Sequence, residues 1–157
     1  MATASSVVIA ARPKRRWMMV LSWVCRAVGA VILLQTLFFK FSAAPESVYI
    51  FTQLGTFVHG HLHFLPVNAT QVSTRIVSGV MELIAAILLL VPRTVWAGAV
   101  LAMAATGGAI LSHMSFLGIE VMGDGGLLFA LALIVFTVSA VALVLHCSQV
   151  PVLGKRF

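Results

Sequence analysis

The chain has 157 residues, of which 61% are hydrophobic and only 9% charged. Soluble domains carry roughly a quarter charged residues and under half apolar ones. The composition therefore excludes a water-soluble globular protein, a disordered chain and a nucleic-acid-binding module. A net charge of +6 does not change that, because most of the bases lie in the tails (Arg12, Lys14, Arg15, Arg16, Lys155 and Arg156), where they suit an anionic lipid surface.

Four apolar stretches follow one another between a basic N-terminal tail (1–16) and a C-terminal tail (147–157). They cover 17–41, 73–91 (its most apolar part 76–91), 95–117 and 125–146. About 20 residues are needed to cross a bilayer, and every backbone group in lipid must be satisfied within its own segment. The expected fold is all-α, a bundle of four transmembrane helices. The connections differ in kind. Pro92-Arg93-Thr94 reads as a tight turn, and residues 116–126 as a glycine-rich loop. Within the long connection 42–73, Pro45-Glu46-Ser47 opens a short helix that is too short to span, reads as interfacial and stops at Gly55.

The first apolar run imitates a signal peptide, but it is too long, is broken by Arg26 and is followed by a Pro45 that blocks cleavage. With the N-terminus inside, the tails, Arg26 and Arg93 fall on the cytoplasmic side, and only Lys40 and Arg75 fall outside. The expected location is the bacterial inner membrane with both termini cytoplasmic. Trp17, Trp23 and Trp96 then form an aromatic belt at the inner boundary. Cys25 and Cys147 make no disulfide framework; they read as small apolar residues, with a redox pair between the first and fourth spans as the alternative.

Ionisable groups inside a membrane cost about 2.5–3.5 kcal/mol each on insertion scales, so each needs a partner or a purpose. Glu82 lies inside the second span, and its candidate partners are Arg26 and Lys40, both on the first. It is read either as an ion pair locking two helices or as a carboxylate that handles protons or touches a ligand. Lys40 and His113 are predicted at similar depth near the outer boundary, with Glu46, Glu120 and Asp124 on the same side. Together they outline an outward pocket for a headgroup with carbonyl oxygens, such as a quinone, or for a lipid headgroup.

His59-Gly60-His61-Leu62-His63 is a separate feature. In an extended segment its three imidazoles would point one way and offer a Zn²⁺ or Cu²⁺ site. Gly107-Gly108, with Ala104 and Ala105, reads as a small-residue face for close helix packing. Nucleophile-elbow, phosphate-loop, dinucleotide and metalloprotease motifs are all missing from the chain. Without a haem pair, cluster ligands or flavin motif, an enzyme acting on its own is not expected.

The ordered set of signals resembles the DoxX-like family of small four-helix membrane proteins. The likeness runs from Arg26-Ala-Val-Gly29 and Phe39-Lys40-Phe41 through Pro45-Glu46-Ser47, Phe51 and Leu54-Gly55. It continues through Gly79-Val-Met-Glu82-Leu83, Val91-Pro92-Arg93-Thr94 and Ser112-His113, and ends in Leu117-Gly118 and Gly123-Asp124-Gly125-Gly126-Leu127. Gln35-Thr36, a longer segment from 56 to 73 and the extra residues 1–16 depart from the family pattern. The family takes its name from a membrane subunit of a thiosulfate:quinone oxidoreductase. The resemblance therefore implies a non-catalytic, quinone-contacting subunit or accessory protein with a redox-enzyme partner. A lipid-handling or membrane-protein assembly factor is the alternative. The positions carried over as ligand-binding are Arg26, Lys40, Glu46, Glu82, His113 and Asp124.

Overall fold

A computed structural model describes residues 16–147; the basic residues expected to anchor the tails, Arg16 apart, lie outside them. The described chain is all helical: α1 (Arg16–Phe41), α2 (Pro45–His61), α3 (Val67–Leu90), α4 (Val95–Ser112) and α5 (Leu127–Leu145). A single π turn, His113–Leu117, extends α4. The segments Arg16–Phe41, Val67–Leu90, Val95–Leu117 and Leu127–Leu145 are long and apolar enough to cross a membrane. Their outer faces confirm what solvent they meet. Phe38 and Val144 are more than 70% exposed, and Leu111, Met114 and Val31 also project outward. A continuous apolar exterior of this kind is incompatible with water. The protein is an integral membrane protein.

The four long helices alternate in direction, with α1, α3, α4 and α5 each packed against the next and α5 closing on α1. Two hydrogen-bond sets fix this arrangement. Arg26 near the start of α1 meets the end of α3 at Leu89 and Leu90, whereas Lys40 at the end of α1 meets Ser78 and Glu82. One end of the bundle therefore holds Arg26, Arg93 and all three tryptophans, and the other holds Lys40, Arg75, α2 and the glycine-rich loop. The expected partition of charges between two sides matches these two ends.

The core is built from small side chains. Ala30, Ala85, Ala86, Ala99 and Ala102 pack with Leu33, Leu89 and Val135. Lipid is as apolar as leucine, so helices associate through close van der Waals contact, and small residues allow the closest approach. The tightest approach is at Gly98, where an added Cβ would lie 2.5 Å from the Leu89 nitrogen and 2.7 Å from the Leu88 carbonyl carbon. The expected small-residue contact at Gly107-Gly108 is not where the backbones meet. Gly108 has nothing within 4 Å of a built Cβ, and Gly107 faces only the Phe136 ring.

The connection 42–73 is more ordered than predicted. Gly55 does not stop α2, which runs on to His61. The glycine instead admits α3, since a Cβ there would lie 2.9 Å from the Val67 carbonyl oxygen. Likewise α3 starts at Val67 and not near residue 73. Arg75 donates to the Lys40 carbonyl oxygen at 2.7 Å, so the turns of α3 before it extend past the end of α1. These protruding turns are the surface against which α2 packs.

Gly98→Ala is expected to lower stability by about 1–3 kcal/mol, the usual range for overpacking. Gly108→Ala is expected to raise it, by up to about 1 kcal/mol, because it removes the entropy penalty of a helical glycine where space is free. Thermal melting of the two variants in one detergent checks both signs.

Candidate functional site

Helices α1, α3, α4 and α5 enclose a cavity of about 580 Å³ that begins beneath α2 and the glycine-rich loop. On α5 it extends from Leu127 to Val135, about 12 Å at the helical rise of 1.5 Å per residue. Its deep part is apolar, lined by Leu33, Ala105, Ala132 and Val135, and its polar groups cluster toward the mouth.

Five of the six expected ligand residues line this cavity: Lys40, Glu46, Glu82, His113 and Asp124. Lys40 comes from the last turn of α1 and reaches back into the bundle. Its Nζ donates to Glu82 Oε1 at 2.5 Å and to Ser78 Oγ at 2.8 Å, with the Phe51 ring 5.7 Å away. Between described residues this is the one ion pair. An ammonium group has three donors, so one remains beyond these two bonds. Glu82 is 7% exposed, and its second oxygen has a less certain supply. The Thr36 hydroxyl lies 3.0 Å from Oε2 but also 2.8 Å from the Leu33 carbonyl oxygen. One hydroxyl proton serves one acceptor at a time, so Oε2 is left open to a second donor whenever Thr36 turns to Leu33.

His113 is buried at the start of the π turn. Its Nδ1 lies 2.7 Å from the Gly118 carbonyl oxygen, which can only accept. Nδ1 therefore carries a proton, and in the neutral ring Nε2 is a hydrogen-bond acceptor. The π turn produces this geometry, with the Gly118 amide returning to the His113 carbonyl at 3.0 Å. Pi turns of this kind are frequent at functional positions.

Asp124 lines the cavity, but its carboxylate is occupied by the protein. Oδ1 accepts from the Val121 and Gly126 amides at 2.8 and 2.9 Å, and Oδ2 from the Leu128 amide at 2.9 Å. Gly126 just before α5 takes a left-handed backbone (φ 81°), which a glycine adopts without penalty. Burial alone would raise the Asp124 carboxyl; the backbone bonds from Leu128, Val121 and Gly126, joined by the charge of His113 when its ring is protonated, outweigh it and hold the group below its ordinary value. Asp124 is thus the clasp of the loop. Glu46 lies at the rim, in the first turn of α2, where an acid also complements the helix dipole.

Several expectations need correction. Arg26 is not part of this site and does not pair with Glu82; its guanidinium is bound to the carbonyls at the far end of α3. Glu120 is exposed and does not line the cavity. The three histidines do not converge. Residues 59 and 61 lie on α2, where positions two apart point about 200° from each other. His59 binds the Leu65 carbonyl oxygen, His61 binds that of Phe57, and His63 lies past the helix end. Among the described residues no group of three or more His, Cys, Asp or Glu side chains is placed to hold a metal. Cys25 is buried and Cys147 exposed, and both are free thiols.

Two residues of the polar cluster escaped the reading of the sequence, Thr36 and Ser78. Each lies four positions before the charged residue of its own helix, Lys40 on α1 and Glu82 on α3, and bonds the charged residue of the other helix. That spacing was a usable signal. Comparison with known proteins identifies no relative: no family model, curated protein or solved structure matches the chain.

Breaking the ion pair on one side leaves a lone charge in the bundle, a loss of about 3–5 kcal/mol. Lys40→Met is therefore expected to be strongly destabilised, and Lys40→Met with Glu82→Gln to recover most of the loss. Melting of the single and double variants measures the coupling. For Asp124, whose native carboxyl titrates below its ordinary value of about 3.9, the stabilisation is present above that value and is lost as pH falls through the lower native one. Melting temperature is expected to fall between about pH 5 and 3 in the wild type. Asp124→Asn, lower throughout by about 1–3 kcal/mol, should show a weaker decline.

Proposed function

We propose that this chain is a DoxX-like, non-catalytic membrane protein whose cavity receives a quinone, and that it serves as a subunit or accessory protein of a membrane redox complex. The observation that carries this reading is an amphipathic cavity with one polar wall. Its depth suits an isoprenoid or acyl tail, and its mouth presents hydrogen-bonding groups of opposite kinds.

Lys40 Nζ, with a donor to spare, suits a quinone carbonyl. Glu82 Oε2 and His113 Nε2, both acceptors, suit the hydroxyls of the reduced form. Each can also take or return a proton, the change that accompanies quinone reduction. The electrons come from a partner enzyme, since the chain supplies no redox group of its own. In this reading α2 lies at the membrane interface and covers the mouth, the basic end faces the cytoplasm, and the membrane is the bacterial inner one. The positive-inside bias and the aromatic belt support that orientation.

The lipid-handling alternative uses the same cavity with an acyl chain in place of the isoprenoid. One experiment distinguishes them. Gly108→Leu projects a side chain into the cavity from a position with free space, without touching the ion pair. Wild-type protein purified in mild detergent is expected to carry quinone, identified by extraction and mass spectrometry. Gly108→Leu should lose most of it, at least about tenfold, while melting no lower than the wild type. Phospholipid in place of quinone, displaced by the same variant, would replace the redox reading with lipid handling. Equal quinone in both proteins would remove the cavity from consideration.

A further inference from the structure

At the opposite end of the bundle, a second recess of about 220 Å³ lies between the start of α1, the α3–α4 turn and the end of α5. Arg26 and Ser22 line it, beside Trp23 and Met18. Arg26 is 3% exposed, a cation almost wholly withdrawn from solvent. Such a charge is normally accompanied by a carboxylate. Among the described residues no carboxylate pairs with it. The chain has four acidic side chains, Glu46, Glu82, Glu120 and Asp124, and all of them belong to the cavity half.

What Arg26 has instead is incomplete. Nε and Nη2 donate to the carbonyl oxygens of Leu89 at 2.5 Å and Leu90 at 2.6 Å, the last two residues of α3. The negative end of a helix offers about half an elementary charge, which leaves the guanidinium only partly balanced. A guanidinium has five N–H donors in a planar fork, so three remain beyond those two bonds. Trp23 covers one face of the group at 4.1 Å. Ser22, one turn earlier on the same helix face, adds a buried hydroxyl with no hydrogen-bond partner among the described residues. Spare forked donors, an unsatisfied hydroxyl and an uncompensated positive charge describe a site for a tetrahedral oxyanion. The apolar collar is also present, because Met19 and Trp23 line the recess and are exposed. Tryptophans mark the headgroup level of a bilayer.

We propose that this recess binds an anionic phosphate group, carried by a phospholipid headgroup or present as the free ion, through the guanidinium of Arg26 with Ser22 beside it. The bound anion completes the charge balance of Arg26 and ties α1 to the α3–α4 turn. This site is independent of the cavity and of any quinone bound there.

The test uses the full chain purified in a non-ionic detergent and equilibrated with equimolar dioleoyl phosphatidylglycerol and dioleoyl phosphatidylcholine. The two lipids share a phosphodiester, but only the first carries net negative charge. Native mass spectrometry is expected to show phosphatidylglycerol retained at least about tenfold over phosphatidylcholine, because only its headgroup brings the net negative charge that balances Arg26. Ser22→Leu, which fills the recess and leaves Arg26 in place, should bring the two lipids to parity. Ser22→Ala should reduce the preference several-fold with an unchanged melting temperature, and it decides the matter if the leucine variant does not fold. Because both variants keep the basic tails, general attraction to anionic lipid is controlled. Millimolar inorganic phosphate that displaces the lipid assigns the site to the free ion, and failure to displace it assigns the site to the headgroup. Equal retention of the two lipids by the wild type, or a preference that survives in both Ser22 variants, overturns the proposal.

Discussion

The Lys40–Glu82 ion pair is the constraint around which the cavity half of the molecule is organised. Two charges on different helices are withdrawn into a bundle whose main core cluster is alanine, leucine and valine. Neither is tolerable alone, so α1 and α3 are held at the one register that lets Nζ reach Oε1. Such pairs contribute little net stability against an apolar replacement. Their presence is better explained by what they provide, a fixed polar wall inside an apolar recess. Thr36 and Ser78 complete that wall from the same two helices, and the incomplete supply of donors to Glu82 Oε2 leaves it able to engage something further.

The rest of the cavity follows from where bulk is withheld. Small residues on α4, including Ala105, Gly108 and Ala109, leave room that the larger side chains of α5 do not fill. The π turn brings His113 inward and hands its Nδ1 proton to Gly118. Asp124 then gathers three amides and closes the loop into the start of α5. A carboxylate whose oxygens are all taken by backbone has little left for a ligand. Another carboxylate of the same cavity, Glu82, is held by side chains that can rearrange. That contrast separates a clasp from a contact.

How the ends differ is equally physical. At the cavity end, Lys40 is met by a carboxylate; at the other end, among the described residues, Arg26 meets carbonyls and an aromatic ring. In the proposed reading, the basic end takes its balancing anions from the surroundings. A bilayer with anionic headgroups supplies them along the whole basic surface.

The four spans and the presence of polar groups within them were legible in the sequence, because transfer of each residue into hydrocarbon is nearly a local property. Several decisions were not local. Arg26 and Lys40 are fourteen residues apart, close to four helical turns, so they share a face of α1 and compete as partners of Glu82 until the register against α3 is known. Gly55 has the same composition signal whether it ends a helix or admits a neighbour; only the approach of Val67 shows the second. The HGHLH run would bring three imidazoles together as a strand; as a helix end it leaves only His59 and His63 near each other and turns His61 away, and α3 settles which by giving α2 a surface to pack on. Tertiary structure alone decided which small residues meet a backbone and which border empty space. Two glycines with identical propensity, Gly98 and Gly108, differ only in what lies opposite them.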